Sequence, residues 1–150
     1  KSAFGGVTRH FFDTDCTDFH RLFFLNMEEF YLKEETYKII GLCMEVHKIL
    51  GKGFNEIVYK EALQYEFIKN NIPFEREKEY RIEYKDIVLS KHYFADFVVF
   101  DEIILEIKAI SQLTSSDTGQ TLNYLACSKN KIGLVINFGE DSLKYKRVIF

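Results

Sequence analysis

The stretch Tyr93–Ile110, YFADFVVFDEIILEIKAI, decides how this chain folds. It reads as two short strands, Tyr93–Phe100 and Ile103–Ile110, joined at Asp101-Glu102. Both halves are rich in β-branched, aromatic and aliphatic residues, which suit a pleated, largely buried surface. Three charges interrupt the apolar runs: Asp96 in the first strand, Glu106 and Lys108 in the second. A lone charge in a buried strand is costly unless it is paired or holds a metal. Three that converge on one face point to a site.

Strand alternation sets the condition for convergence. Glu106 and Lys108 are two apart and share a face, while Leu105, Ile107 and Ala109 leave the other. A two-residue loop at Asp101-Glu102 would set Asp96 opposite Ile107, on the wrong side. A three-residue loop or a bulge sets Asp96 opposite Glu106 or Lys108 instead. The turn has no Gly or Asn to favour a tight primed hairpin, so the odd loop is expected.

Working outward, Glu79–Tyr84 alternates Tyr80, Ile82 and Tyr84 with charged neighbours, as a half-exposed strand does. Lys85-Asp86 turns the chain into a short strand, Ile87-Val88-Leu89, and Ser90-Lys91-His92 leads into Tyr93. On the other side, Ser115-Ser116-Asp117 offers an N-cap for a helix of about ten residues, ending near Lys129-Asn130. Gln120 and Tyr124, four apart, share a face of that helix, with Asp117 one turn earlier. Ile132–Phe138 is a near-continuous apolar run, the pattern of a strand covered on both faces. Gly139 breaks it, and Lys144–Phe150 alternates as a final strand.

Two helices precede the sheet. In residues 34–50, Ile39, Ile40, Cys43, Met44, Val46, His47 and Leu50 recur at spacings of three and four, and Gly51 and Gly53 terminate the run. His47 reads as a hydrogen-bonded packing residue or as the rim of the site. The second helix runs from about Asn55, its N-cap candidate, to Lys69. Glu56, Tyr59 and Leu63 line one of its faces; a first-turn glutamate by itself is ordinarily only dipole chemistry. The order α-α-β-β-β-β-α-β-β fits an α/β (α+β) class, one mixed sheet with helices packed on it.

Residues 1–26 read differently. They hold six phenylalanines, a Gly5-Gly6 pair and no clear period, and the patterned domain is expected to begin at Met27 and run over residues 27–150. The first 26 residues are expected to be a loosely ordered extension or a misassigned start. His10, Cys16 and His20 match no zinc spacing, and no compact apolar run followed by small residues marks a secretory leader.

Composition narrows the function. With 150 residues, 47% apolar and 16% aromatic, the chain can bury a sizeable core. A net charge of −3 lacks the electrostatic footprint of a sequence-independent nucleic-acid binder. It leaves room for an enzyme with a local basic rim, for which Lys129, Lys131, Lys144, Lys146 and Arg147 are candidates. No run of 18 apolar residues predicts a membrane span. The three cysteines, Cys16, Cys43 and Cys127, are odd in number and scattered, which suits reduced thiols in a cytoplasm.

Two acids and a lysine spaced D-x(9)-E-x-K across adjacent strands are what metal-assisted phosphodiester cleavage requires. Carboxylate oxygens suit Mg²⁺, with Mn²⁺ as a substitute. The ion stabilises developing charge and acidifies water, and an adjacent ammonium orients that water. A purely structural Asp96–Lys108 pair ranks last, because buried ion pairs are poor net stabilisers.

At this point the sequence resembles the PD-(D/E)xK nuclease superfamily, and specifically its small GxxExxY group of the RecB-type branch. The group's motif is matched by Gly53-Phe54-Asn55-Glu56-Ile57-Val58-Tyr59. The similarity continues through Asn71-Ile72-Pro73-Phe74, Asp96, Glu106-Ile107-Lys108, Gln120-Thr121-Leu122-Asn123-Tyr124-Leu125 and Asn137-Phe138-Gly139. The resemblance implies a restriction-endonuclease-like mixed β-sheet flanked by α-helices. It implies metal ligands at Asp96, Glu106 and the Ile107 carbonyl, a catalytic Lys108, and Glu56 as a further acid beside the metal. Gln120 and Tyr124 resemble a helix signature that faces the active centre. The superfamily's proline before the first acid is Ala95 here, and Asp117 stands where related sequences often carry histidine.

The expected function is metal-dependent hydrolysis of phosphodiester bonds in DNA, with RNA the second-ranked substrate. The alternative is a catalytically silent nuclease-fold module for nucleic-acid or protein binding. No membrane partner is expected. A small domain that cuts both strands of a duplex suits a homodimer, although no residue marks an interface.

Overall fold

The computed structural model describes residues 32–150. The expectations for residues 1–26, including His10, Cys16 and His20, lie outside the described residues.

Helix α1, Lys33–Leu50, opens with Glu34 and Glu35 and closes with His47 and Lys48, each sign at the end where the helix dipole favours it. Ile39, Ile40, Cys43 and Val46 of the expected stripe are buried together with Thr36, whereas Met44, expected there, is exposed. Gly51 ends it in the left-handed region, φ 67°, with its N–H donating to the His47 carbonyl at 2.8 Å. Helix α2, Glu56–Lys69, follows an extended Asn55. The Asn55 side chain makes no capping bond among the described residues, so α2 starts where expected without that cap. Tyr59, Leu63 and Phe67, spaced by four, form its buried face.

The sheet has the order β1-β2-β3-β4-β5: β1 Phe74–Tyr84, β2 Ile87–Val99, β3 Ile103–Lys108, β4 Ile132–Asn137 and β5 Lys144–Ile149. Only β3 and β4 pair in parallel, joined through helix α3, Ser115–Ser128. A parallel pair needs such a crossover, whereas the antiparallel pairs need only turns. One sheet face buries Val98, Ile104, Val135 and Val148 against Tyr124 and Leu125 of α3. The other receives α2, where Phe67 packs edge-on against Phe97 at 5.5 Å between ring centroids. The mixed sheet flanked by helices is the expected fold class.

Two details differ from the sequence reading. Ile87–Leu89 and Tyr93–Phe100 are one strand of 13 residues, so the sheet has three strands before α3 rather than four. Ser90, Lys91 and His92 stay in the strand because the outer half of the β1–β2 ribbon is solvated, where polar side chains cost nothing. His92 pairs with Arg81 across it, and the register shifts between Arg81 and Glu83. β1 also starts earlier than Glu79, anchored by Phe74 against Phe67 and Phe97.

Helix α3 spans 14 residues and is capped by Thr114, one position before the expected serines. Asp117 Oδ2 accepts from the Thr114 N–H at 2.8 Å and from its hydroxyl at 2.7 Å, closing a capping box. This gives Asp117 a structural task.

Candidate active site

The turn between β2 and β3 sets the site. Val99 pairs with Ile103, leaving Phe100, Asp101 and Glu102 as a three-residue loop. The odd loop is the expected one, but it contains a left-handed turn that the lack of Gly and Asn argued against. Phe100 and Asp101 adopt φ 55° and 62°, and the Glu102 N–H donates to the Val99 carbonyl at 3.3 Å. Phe100, added to the Asp101-Glu102 turn, is the residue that shifts the parity.

The β2–β3 pairs run from Val99–Ile103 to Phe97–Leu105 and end one step short of Asp96 and Glu106. Here β2 changes parity. Ala95 and Val98, three residues apart, enter the same core cluster, although strict alternation would separate them. Glu77, in the β1 segment facing this point, adopts φ 53°. The irregularity aims the Asp96 carboxylate along the sheet, where Oδ2 accepts the Ile107 N–H at 2.7 Å. Irregular strand segments commonly re-aim a side chain in this way.

Asp96 and Glu106 are 8% and 4% exposed. Glu106 Oε1 accepts from Lys108 Nζ at 3.1 Å, whereas its Oε2 is buried without a hydrogen-bond partner among the described residues. Burial, and next the charge of Asp96, push the Glu106 carboxyl up to about 7 against the pull of Lys108 and Lys60. Lys108 also donates to Gln120 Oε1 at 3.0 Å, and Gln120 Nε2 donates to the Tyr124 hydroxyl at 2.8 Å. Burial disfavours the Lys108 ammonium, but Glu106, Glu56 and Asp117 outweigh it and leave the amine above its usual range. Burial and the nearby Glu106 raise the Tyr124 phenol to about 12.

The structure therefore brings together Asp96, Glu106, Ile107, Lys108, Gln120 and Tyr124. Glu56 stands half-buried in the first turn of α2, close enough for its charge to act on Lys108. Among the described residues no group of three or more His, Cys, Asp or Glu is arranged to hold one ion. The ranked-last Asp96–Lys108 pair is not formed: Lys108 binds Glu106, and Asp96 pairs with Lys60. Sequence reasoning missed Lys60, although its position one turn after Glu56 put it on the same helix face.

Two quoted motifs act as clamps. Tyr59, the last residue of the GxxExxY match, donates its hydroxyl to the Gly51 carbonyl at 2.8 Å and stacks on Phe138 at 4.4 Å. It thereby fixes the loop entering α2 and the placement of Glu56. Asn137 accepts from the Ile110 and Gly139 N–H groups at 3.0 and 3.1 Å and donates to the Ile110 carbonyl at 2.9 Å. With the Phe138 N–H on the Lys108 carbonyl at 2.8 Å, this ties the chain beyond β3 to the end of β4. Any side chain at Gly139 would collide with the Ile110 backbone.

His47 contacts the Glu140 carbonyl at 3.0 Å and stacks on Phe138, the packing role foreseen for it. Of the basic residues considered for a rim, Lys144 lines a hollow of about 410 Å³ with Lys52, Ser111 and Ser142. Cys43 and Cys127 are free thiols, and burial pushes that of Cys43 up. No described helix is long and apolar enough to cross a membrane.

The donor set fits a hard divalent ion. It offers carboxylate oxygens from two adjacent strands, one of them buried without a partner, beside an ammonium.

A solved structure described as SSO0001 superposes with a TM-score of 0.47 at 19% identity, covering 63% of this chain and 50% of that one. An alkaline exonuclease from Laribacter hongkongensis gives 0.47 at 12% identity, with 63% and 56% covered. The chain thus spans about half the length of these structures. No curated protein matches in sequence. A family profile, described as the PD-(D/E)XK nuclease superfamily, matches residues 33–148, which hold all three described helices, the sheet except the last residue of β5, and every residue of the site. The chain therefore belongs to the PD-(D/E)XK nuclease superfamily.

Proposed function

We propose that the chain is a divalent-metal-dependent nuclease that hydrolyses phosphodiester bonds of DNA, with RNA the second-ranked substrate, and that it falls within the GxxExxY group. The observation that carries this reading is the apposition of Asp96 and Glu106 with a buried, unpartnered Glu106 oxygen beside a tethered lysine. Buried polar atoms are rarely left unpaired, so an orphaned carboxylate oxygen within the electrostatic reach of a second acid calls for a cation.

Asp96, Glu106 and the Ile107 carbonyl are the ligands we assign to Mg²⁺ or Mn²⁺, with Glu56 as an assisting acid. When bound, such an ion stabilises charge developing on the phosphate and lowers the pKa of water. Lys108 orients the attacking water. Its ammonium has three donors, of which Glu106 and Gln120 take two, leaving one for the water or a phosphate oxygen. Gln120 is fixed in orientation, since its amide nitrogen is committed to Tyr124. In the overall reaction, water oxygen bonds to phosphorus, the bond to the leaving oxygen breaks, and that oxygen takes up a proton.

The test is cleavage of single- and double-stranded DNA and RNA with Mg²⁺ or Mn²⁺. Asp96→Ala and Lys108→Ala should each lower the rate by about 10²-fold or more, the scale of losing electrostatic or proton-transfer help. Cleavage that persists in both variants rejects the assignment.

One observation favours a second reading, the catalytically silent module. Lys60 pairs with Asp96 and supplies a counter-charge from the chain itself. Calorimetry with Mn²⁺ separates the two: a silent module binds none at millimolar metal.

A further inference from the structure

Lys60 is a cation that the proposed chemistry leaves unused. It sits on α2, one turn after Glu56, and its Nζ pairs with Asp96 Oδ1. Both side chains are mostly buried, at 16% and 10% exposure. The other Asp96 oxygen is committed to the Ile107 N–H. Oδ1 is therefore the atom Asp96 can offer an incoming ion, and the lysine is already on it. The second ammonium, Lys108, rests on Glu106. Each carboxylate thus carries one lysine, and the repulsion between two buried acids is partly offset.

We propose that Lys60 is a built-in counter-ion that holds the cation position at Asp96 until a divalent ion displaces it. The inference rests on the metal-dependent reading above. The lysine stem is long and flexible, so its ammonium can swing off Oδ1 without moving α2. The pair holds the Asp96 carboxylate in place until the ion arrives. It also weakens apparent metal affinity, because only the fraction of molecules with Lys60 withdrawn is competent to bind.

The experiment is isothermal titration of the full chain with MnCl₂, comparing wild type with Lys60→Met. Lys60→Gln serves as a second variant, because it leaves Asp96 a hydrogen-bond donor if the methionine protein folds poorly. Titrations are run near 0.05 M and near 1 M KCl, where the Debye length falls to about 3 Å. The expected result is Mn²⁺ binding at least about ten-fold tighter in the variants at both salt concentrations. Metal-free Lys60→Met should also melt below wild type, with saturating Mn²⁺ closing the gap.

Equal affinities overturn the proposal, as does a difference that vanishes in high salt, which would make Lys60 a remote charge. Absence of Mn²⁺ binding in wild type and both variants overturns the metal-dependent reading itself. The two failures are therefore distinct.

Discussion

At the scale of single residues, Glu106 carries the largest internal conflict. Its carboxyl is raised to about 7 by burial beside Asp96, above the ordinary value of 4.5. Its contribution to stability is therefore fully present below pH 4.5 and is lost as pH rises through 7. Glu106→Gln, uncharged throughout, should stabilise the metal-free protein by about 2–3 kcal/mol at pH 8 and little at pH 4.5, while abolishing cleavage. Urea unfolding in EDTA at the two pH values checks this; a variant weaker than wild type at pH 8 means that the lost Lys108 contact dominates. Gln120→Leu removes the acceptor that steers Lys108 without touching either acid. It should lower kcat by roughly ten-fold or more, since a misplaced catalytic group loses rate steeply, with Mn²⁺ affinity unchanged in calorimetry.

At the scale of elements, the loop and the end of β4 decide whether those residues meet. Asp101→Asn with Glu102→Gly, a pair that favours a two-residue primed turn at these positions, pairs Phe100 with Ile103 and sets Asp96 opposite Ile107, on the wrong face. Such a protein should retain its helix and sheet content by circular dichroism yet lose Mn²⁺ binding; retained binding would show that Asp96 is aimed by its own irregular strand segment alone. Asn137 is fully buried and satisfies groups on both sides of the β3–β4 junction. Asn137→Ala strands several backbone groups and should cost about 2–4 kcal/mol in denaturant unfolding.

At the scale of the whole molecule, the net charge of −3 limits how the chain can hold a polyanion. Without metal, DNA affinity should be weak. With metal, the slope of log affinity against log salt should be no steeper than about −3, corresponding to roughly three phosphates neutralised. A filter-binding salt series on Lys108→Ala measures it, and a steep slope would reveal a basic track outside the described site. The buried chemistry lies near the ends of the paired strands β2, β3 and β4, between α2 on one face and α3 on the other. Both faces therefore supply side chains: Glu56 and Lys60 from one, Gln120 and Tyr124 from the other.

The sequence by itself determined the helices, the order of the elements and the shared face of Glu106 and Lys108, because these follow from local periodicity. It also pointed to the odd loop, since the condition for convergence was one of parity. It could not determine that Ile87–Leu89 continues into Tyr93, because a solvated ribbon and a polar connection have the same composition. Nor could it assign partners. Lys60 is one of several lysines near acids in the sequence, and only the packing of α2 over the sheet gives it to Asp96. Side-chain pairing across elements depends on distances that no spacing along one strand encodes. For that reason the tertiary structure decided that Asp96 and Glu106 each meet a cation, and that one Glu106 oxygen meets none.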